Sequence, residues 1–246
     1  MNGLAVLRRY LRLPAGRCPS CGAFFGSPLC RECISASGID DRPFRTRVAF
    51  HELQFVGAYW SRQPGAAVSL SPLGRALRGF KDRGDRYAGR CLGALFAMRL
   101  AGTIDPAEVI VPIPSDVRRL RARGLSPAAW LADALSRSSR ARLSQQSLVR
   151  TRDRPAQRTL GGAARRANAE GAFGLGPDGV RGYSVVLVDD VITTGATLRA
   201  AATALWIGGA DRVRCAVLAC ADEEILNRCR ARTESAGRGA ISVRAS

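Results

Sequence analysis

Apolar and polar positions alternate along this chain in two distinct rhythms. "HELQFVGAYW" sets Leu53, Phe55 and Gly57 against Glu52, Gln54 and Val56, an imperfect period of two that predicts a strand. "SPLGRALRGFKDRGD" changes to helical spacing. Ser71 is placed to cap, Pro72 suits the first helical position, and Leu73, Leu77 and Phe80 fall on one face. A second helix, "RYAGRCLGALFAMRLAG", directs Leu92, Leu95 and Phe96 inward, with the stem of Arg99 at its edge. From Glu108 the order becomes strand, loop, helix. "EVIVPIPS" is stopped by Pro112 and Pro114, and "SPAAWLADALSRSS" repeats the Ser-Pro start at Ser126 and Pro127. "SLVR" predicts a short strand before an arginine-rich stretch without a strong period. "YSVVLVDD" predicts a strand, "ATLRAAATALWIGGA" a helix ended by Gly208 and Gly209, and "RVRCAVLACA" a final strand. Strands alternating with helices predict an α/β fold around a mostly parallel sheet with both faces covered.

This periodicity begins late. Residues 1–36 hold a cysteine cluster, 37–52 are polar and turn-prone and predict a linker, 53–222 carry the main domain, and 223–246 predict a loose tail. A chain of 246 residues that is 46% hydrophobic can bury one sizeable core with a small appendage. No apolar run approaches the roughly 20 residues of a membrane span. The opening "MNGLAVLRRYLRL" is too short and too interrupted by arginine for a secretory signal, so a cytoplasmic protein is expected.

The candidate chemistry concentrates in "VVLVDDVITTGATL". Here an apolar strand runs into two adjacent aspartates, Asp189 and Asp190, and then into a hydroxyl-rich loop. Adjacent carboxylates repel, and they need hydroxyls, a cation or water to occupy them. In an open parallel sheet ligands bind at the carboxyl ends of strands, where these residues fall. The loop precedes a helix, whose N–H groups form a ready anion site. Thr193, Thr194 and Thr197 add donors, and Gly195 lets backbone approach a phosphate. The carboxylates can accept hydrogen bonds from a vicinal diol or hold a divalent cation through water. A phosphate beside a diol describes a ribose 5-phosphate. No G-x-x-x-x-G-K-[ST] is present as a competing phosphate motif.

Four of the eight cysteines stand in "CPSCGAFFGSPLCREC": Cys18, Cys21, Cys30 and Cys33 form two C-x-x-C knuckles. The spacing and the intervening turn residues suit a closed tetrahedral zinc site that stabilises a small unit without performing chemistry. Paired disulfides are disfavoured in the cytosol, and a thioredoxin-like redox motif needs no second pair. Cys91, Cys215 and Cys220 lie in apolar segments, as small core residues do. His51 is the only histidine and lies outside the cluster.

Charge adds one element to the picture. The net charge is +18, and the basic residues are 37 arginines and one lysine, Lys81. Part of this is a solvated arginine-biased surface. The segment from Val117 to Glu170, however, holds 13 arginines against Asp133, Asp153 and Glu170, which suits a polyanion. Aromatic residues make up only 6% of the chain, with Trp130 alone in that segment, too few for a dedicated stacking surface for single strands.

"VVLVDDVITTGATL" resembles the phosphoribosyl pyrophosphate (PRPP) motif of type I phosphoribosyltransferases. The four-cysteine knuckle, "FKDRGD", "VIVPIPSDVRRLRARG" and "RTRDRPAQRTLGGAARRANAEGAF" follow in the order of the ComF family, competence-associated proteins that include GntX. The resemblance spans about residues 18 to 220. It implies that Asp189 and Asp190 hold the ribose hydroxyls and that Thr193, Thr194, Gly195, Ala196 and Thr197 form the 5-phosphate loop. Pro114 and Ser115 would stand in the pyrophosphate loop, and Lys81 would match the family's lysine near the phosphates. A flexible closing loop would carry Arg150, Arg152, Gln157, Arg165 and Asn168. Where the family shows "RGFNQA", this chain has "RGLSPA", so the phenylalanine and the amide are gone.

Two functions follow from that resemblance. One is a magnesium-dependent phosphoribosyltransferase using PRPP, whose chemistry rests on positioning and electrostatics rather than on a nucleophilic residue. The other is a non-enzymatic protein that binds PRPP, a nucleotide or the 5'-phosphate end of single-stranded DNA, and docks DNA or a competence helicase through its basic face and zinc knuckle. No stretch specifies an acceptor base. The resemblance also implies a role in competence and DNA uptake.

Overall fold

The computed structural model describes residues 16–25, 28–48, 51–61, 67–151 and 171–229. The knuckle region contributes β1 (Gly16–Arg17), β2 (Phe24–Phe25) and α1 (Arg31–Ala36). The main body continues with β3 (Phe44–Val48), β4 (His51–Ala58), β5 (Trp60–Ser61), β6 (Ser69–Leu70), α2 (Pro72–Arg83), α3 (Arg86–Leu100) and β7 (Val109–Pro112). It is completed by α4 (Val117–Arg123), α5 (Pro127–Ser139), β8 (Arg142–Leu143), β9 (Leu148–Arg150), β10 (Phe173–Leu175), β11 (Ser184–Ile192), α6 (Ala196–Ile207) and β12 (Arg212–Cys220).

Six strands form one sheet in the order β3-β4-β12-β11-β7-β8. All neighbours pair in parallel except β3, which lies antiparallel on β4. Pleating sends successive side chains of β11 to opposite faces. Val186 and Val188 join Leu73, Leu77, Phe80, Leu92, Leu95, Phe96, Leu131 and Leu135 of α2, α3 and α5 in one core layer. Val185 and Leu187 join Leu198, Ala201 and Leu205 of α6, with Phe173 of β10, in the other. The helix starts read from sequence are present. Ser71 accepts from Gly74 N at 3.0 Å and Ser126 from Ala129 N at 3.4 Å, each followed by proline at the helix start.

The structure corrects the reading of the flanks. The segment 37–52, expected as a linker, contains β3 and the start of β4. Phe44 stacks on Phe55 with ring centroids 5.0 Å apart, and exposed Arg45 and Arg47 line the sheet edge. Charges of this kind blunt an edge against further pairing, and they hide its strand character from a hydrophobic pattern. The expected tail begins with a helical stretch over 223–229 that buries Ile225 and Cys229 against the α6 face. The strand expected in "SLVR" does not enter the main sheet. As β9 it pairs antiparallel with β10, forming the base from which the arginine-rich segment departs.

Candidate functional site

Strand β11 continues through Asp189 and Asp190 to Ile192, pairing with β12 along the way. The two carboxylates therefore leave the sheet on opposite faces, Asp190 with Val186 and Val188 and Asp189 with Val185 and Leu187. Asp190 Oδ2 receives Lys81 Nζ of α2 at 2.7 Å. Asp189 Oδ1 accepts from Asp190 N at 2.8 Å. Burial, reinforced by the neighbouring Asp190, pushes the Asp189 carboxyl up to about 7, against the opposing pull of Asp190 N–H, Lys81 and Arg150.

Beyond Ile192 the chain turns into α6 at Gly195, whose φ of 71° lies in the left-handed region where a side chain is strained. Thr194 Oγ1 accepts from Ala196 N at 3.4 Å, while Thr193 and Thr197 are exposed at the start of this helix of 12 residues. The loop thus presents hydroxyls and helix N–H groups to the same edge as the carboxylates, an arrangement that can receive an anion.

Each residue of "FKDRGD" has a distinct contact. Phe80 is buried and meets Trp130 edge-on at 5.5 Å, and Trp130 Nε1 donates to Gly89 O at 2.9 Å. Lys81 reaches Asp190. Asp82 takes Arg78 at 3.3 Å and Arg123 of α4 at 3.5 Å. Arg83 lies across Gly79, Gly84 ends α2 with φ 67°, and Asp85 caps α3 by accepting from Ala88 N at 3.0 Å. The end of α2 thereby braces both the β11 edge and the helix that follows β7. The contact of Asp82 with Arg123 was not legible in sequence, because ion pairing between distant surface residues leaves no periodic trace.

The loop carrying Pro114 and Ser115 starts beside β11, where Ile113 N donates to Val188 O at 2.9 Å. Ser115 Oγ donates to Ser126 Oγ at 2.9 Å, and Ser126 caps α5. The substituted "RGLSPA" accordingly has its own logic: Leu125 packs against the core, and Ser126 holds both the loop and the helix start. Helix α4, capped by Asp116, buries none of its residues and exposes Arg118, Arg119 and Arg121 next to this loop.

Of the residues expected in a closing loop, Arg152, Gln157, Arg165 and Asn168 lie outside the described residues. Arg150 is placed at the end of β9. Its guanidinium sits 4.9 Å from the Phe173 ring centroid, near enough to Asp189 to favour the ionised carboxylate. Its Nε is buried with no hydrogen-bond partner among the described residues. A buried charged donor without a partner is costly.

The sulfurs of Cys18, Cys21, Cys30 and Cys33 lie within 4.8 Å of one another, and Cys21 Sγ is 3.6 Å from Cys30 Sγ. Tetrahedral zinc with sulfurs at about 2.3 Å separates its ligands by about 3.8 Å, so this cluster could bind zinc. All four are free thiols. Burial would raise Cys18, but backbone hydrogen bonds from Cys30, Cys21 and Ser20 bring it down to about 7. Burial pushes Cys30 up to about 11 and Cys33 higher still. Cys18, Leu29, Cys30 and Cys33 belong to the same core layer as α2 and α3. Ser37, just past α1, accepts from Leu73 N at 2.9 Å, and its carbonyl accepts from Ala58 N at 3.0 Å. The knuckle is therefore stitched to the body.

A cavity of about 340 Å³ opens at the carboxyl ends of β4 and β12, lined by Ser35, Trp60, Ser61, Val68, Leu226 and Asn227 among others. Ala221 on its wall donates to Ile192 O at 2.8 Å, so the cavity adjoins the loop after β11. Among the described residues no helix is long and apolar enough to cross a membrane.

Known proteins match this chain in whole or in part. A phosphoribosyl transferase domain matches residues 121–233. The DNA utilization protein YhgH of Escherichia coli O157:H7 is 29% identical over 219 residues, covering 85% of this chain and 86% of that protein. YhgH of Escherichia coli K12 is 35% identical over 123 residues, covering 50% of this chain and 53% of that protein. Competence protein ComFC of Bacillus subtilis 168 is 31% identical over 130 residues, covering 52% of this chain and 51% of that protein. In the last two the chain spans about half the length of the relative it matches.

Proposed function

We propose that this chain, a member of the ComF family that carries a phosphoribosyl transferase domain, binds PRPP or a related ribose 5-phosphate group with magnesium and serves DNA uptake or utilisation. One observation carries the reading. The paired carboxylates of β11 and the N–H groups of the loop turning at Gly195 face one carboxyl edge of the sheet, and Lys81 and Arg150 bring positive charge to it. The relatives' names, DNA utilization protein and competence protein, supply the process.

The ribose hydroxyls donate to Asp189 and Asp190, and the 5-phosphate lies on Thr193, Thr194, Gly195, Ala196 and Thr197. The diphosphate lies towards Pro114 and Ser115. Asp189 and Asp190, the latter already paired with Lys81, would hold a divalent ion only in part, as suits magnesium bound together with its substrate. Magnesium would neutralise the diphosphate as it leaves. The loop holds the 5-phosphate, the carboxylates orient the ribose, and Arg150 meets developing negative charge. In a transfer, the bond from ribose C1 to the diphosphate oxygen breaks with its electron pair on diphosphate, while an acceptor forms the new bond to C1. The cavity beside Trp60 adjoins the same edge and offers space for an acceptor. Zinc in the four-cysteine cluster is structural.

The test is isothermal titration of the zinc-loaded protein with PRPP and magnesium, followed by an assay for pyrophosphate release with a panel of bases and single-stranded DNA. We expect binding, and the double variant Asp189→Asn, Asp190→Asn should weaken it at least about 100-fold, since two charge-assisted hydrogen bonds are lost. No binding by the wild type would overturn the reading. Acceptor-dependent release would establish the enzyme.

The exposed arginines of α4 favour a second reading, a non-enzymatic adaptor that binds nucleotide or the 5'-phosphate end of single-stranded DNA and engages a competence helicase. Phosphate contacts by arginine make such binding steeply salt-dependent. In that case DNA affinity should survive the double aspartate change and fall on mutation of Arg118, Arg119 and Arg121.

The Asp189 carboxyl, raised to about 7, also sets a pH dependence. A ligand that needs the carboxylate must expel a proton below that pH, so affinity should fall about tenfold per unit as pH drops below 7. Stability runs the other way. A carboxyl whose folded value lies above its unfolded value holds more protons when folded, so its stabilising contribution at low pH is lost as pH rises from about 4 to 7. Asp189→Asn should therefore raise the melting temperature at pH 8 and change it little at pH 4, as read by calorimetry at the two values.

A further inference from the structure

Lys81 was expected to point at phosphate, yet its ammonium is spent on a carboxylate. The pair with Asp190 is 2.7 Å long, and the side chains keep only 18% and 15% of their exposure, so water screens them weakly. The contact is held from behind. Phe80 is locked in the core against Trp130, Asp82 is tied to Arg78 and Arg123, and Gly84 closes the helix immediately after. Pleating leaves Asp189 on the far face, where Arg150 joins Lys81 in favouring its ionised form.

We propose that Lys81 is the resident cation of the paired carboxylates: it pairs with Asp190 and so lowers the net negative charge that a divalent ion and its anionic ligand meet at this edge. The proposal deepens the reading of this edge as a phosphoribosyl site served by a divalent ion, and it rests on that reading. Two bare carboxylates would repel a ligand bearing a phosphate and a diphosphate unless further divalent ions came with it. A lysine built into the site removes that requirement, and a compact ammonium on a flexible stem can follow Asp190 when the ribose arrives. Lys81 is a positioning residue in this account, acting on the ligand through Asp190.

The test has two arms on the zinc-loaded protein. The first uses Mn2+ alone, read by its electron paramagnetic resonance signal. Removing a competing cation from a carboxylate should tighten Mn2+ binding, so Lys81→Met should bind at least about tenfold more strongly than the wild type. Lys81→Arg, which keeps the charge, should stay near the wild type, and the gain should vanish when Asp190→Asn is added to Lys81→Met. The second arm measures PRPP affinity against magnesium concentration. Lys81→Met should take up one more magnesium ion per PRPP than the wild type, lose affinity when magnesium is limiting and recover it when magnesium is abundant. Equal Mn2+ affinity in the wild type and a folded Lys81→Met overturns the proposal, as does a gain that persists without the Asp190 carboxylate. PRPP that binds no variant, beside a positive Mn2+ arm, rejects the phosphoribosyl reading alone and leaves the role of Lys81 standing.

Discussion

Arg214→Ala should destabilise the fold by about 3–5 kcal/mol and lower its melting temperature by roughly 10 °C. Arg214 is 5% exposed and Glu108 is 8% exposed. Arg214 Nε donates to Glu108 Oε1 at 2.6 Å, and Nη2 donates to Glu108 Oε2 and to Thr103 O. Asp105 N also donates to Glu108, while Thr103 Oγ1 links onward to Gln54 and Gln54 to Glu52. Removing the guanidinium strands a buried carboxylate together with the groups arranged around it. Replacing both partners, Arg214→Met with Glu108→Leu, removes the stranded charge as well and should recover most of the loss. Chemical denaturation of the two single variants and the double variant reads the coupling directly, and additive losses would mean that the pair holds nothing together. This network sits at the amino end of the sheet, away from Asp189 and Asp190, so PRPP affinity of the variant should be unchanged while it remains folded.

Stripping the metal should have an effect of similar or larger size. Structural zinc is worth about 10–16 kcal/mol in small zinc-binding peptides, and here three of the four candidate ligands, Cys18, Cys30 and Cys33, lie within the core layer that also contains Leu73, Leu77 and Phe80 of α2. Chelation, or Cys33→Ser, should release one zinc per chain, expose the thiols to a colorimetric reagent and lower the melting temperature by at least about 10 °C. Loosening should spread along α2 towards Lys81, so PRPP affinity should fall as well, although no cysteine touches the ligand edge. A melting curve indifferent to a strong chelator would show that these cysteines hold no metal on which the core depends.

The two regions differ in how much of them could be read in advance. The four-cysteine cluster was visible because its members are close in sequence and fall in two C-x-x-C pairs. The β11 edge was visible because an apolar strand, a carboxylate pair and a hydroxyl-rich loop at a helix start occur in one run. Strand β3 was missed because an edge strand carries charge for solubility, and Arg45 and Arg47 mask its pattern. Strand β8 and the helical stretch over 223–229 were missed because each is shorter than the window over which a period can be counted. The cavity near Trp60 gathers residues from α1, β4, β5 and the stretch after β12, and no local pattern joins these.

The sequence by itself determined what depends on contacts within a few residues. These are the Ser-Pro helix starts, the cysteine spacing, and the adjacency of the carboxylates to the hydroxyl-rich loop. Only the tertiary structure decided what depends on which surfaces meet. Strand pleating sent Asp189 and Asp190 to opposite faces, and the packing of α2 on one of those faces gave Asp190 to Lys81 while Arg150 came to the other. The same packing brought Arg214 to Glu108 across 106 positions of chain. Local preferences act through backbone geometry and so leave a period in the sequence. Long-range pairs are selected by burial, where an uncompensated charge is costly and a matched one is tolerated, and that selection appears only once the sheet and its helices have closed around them.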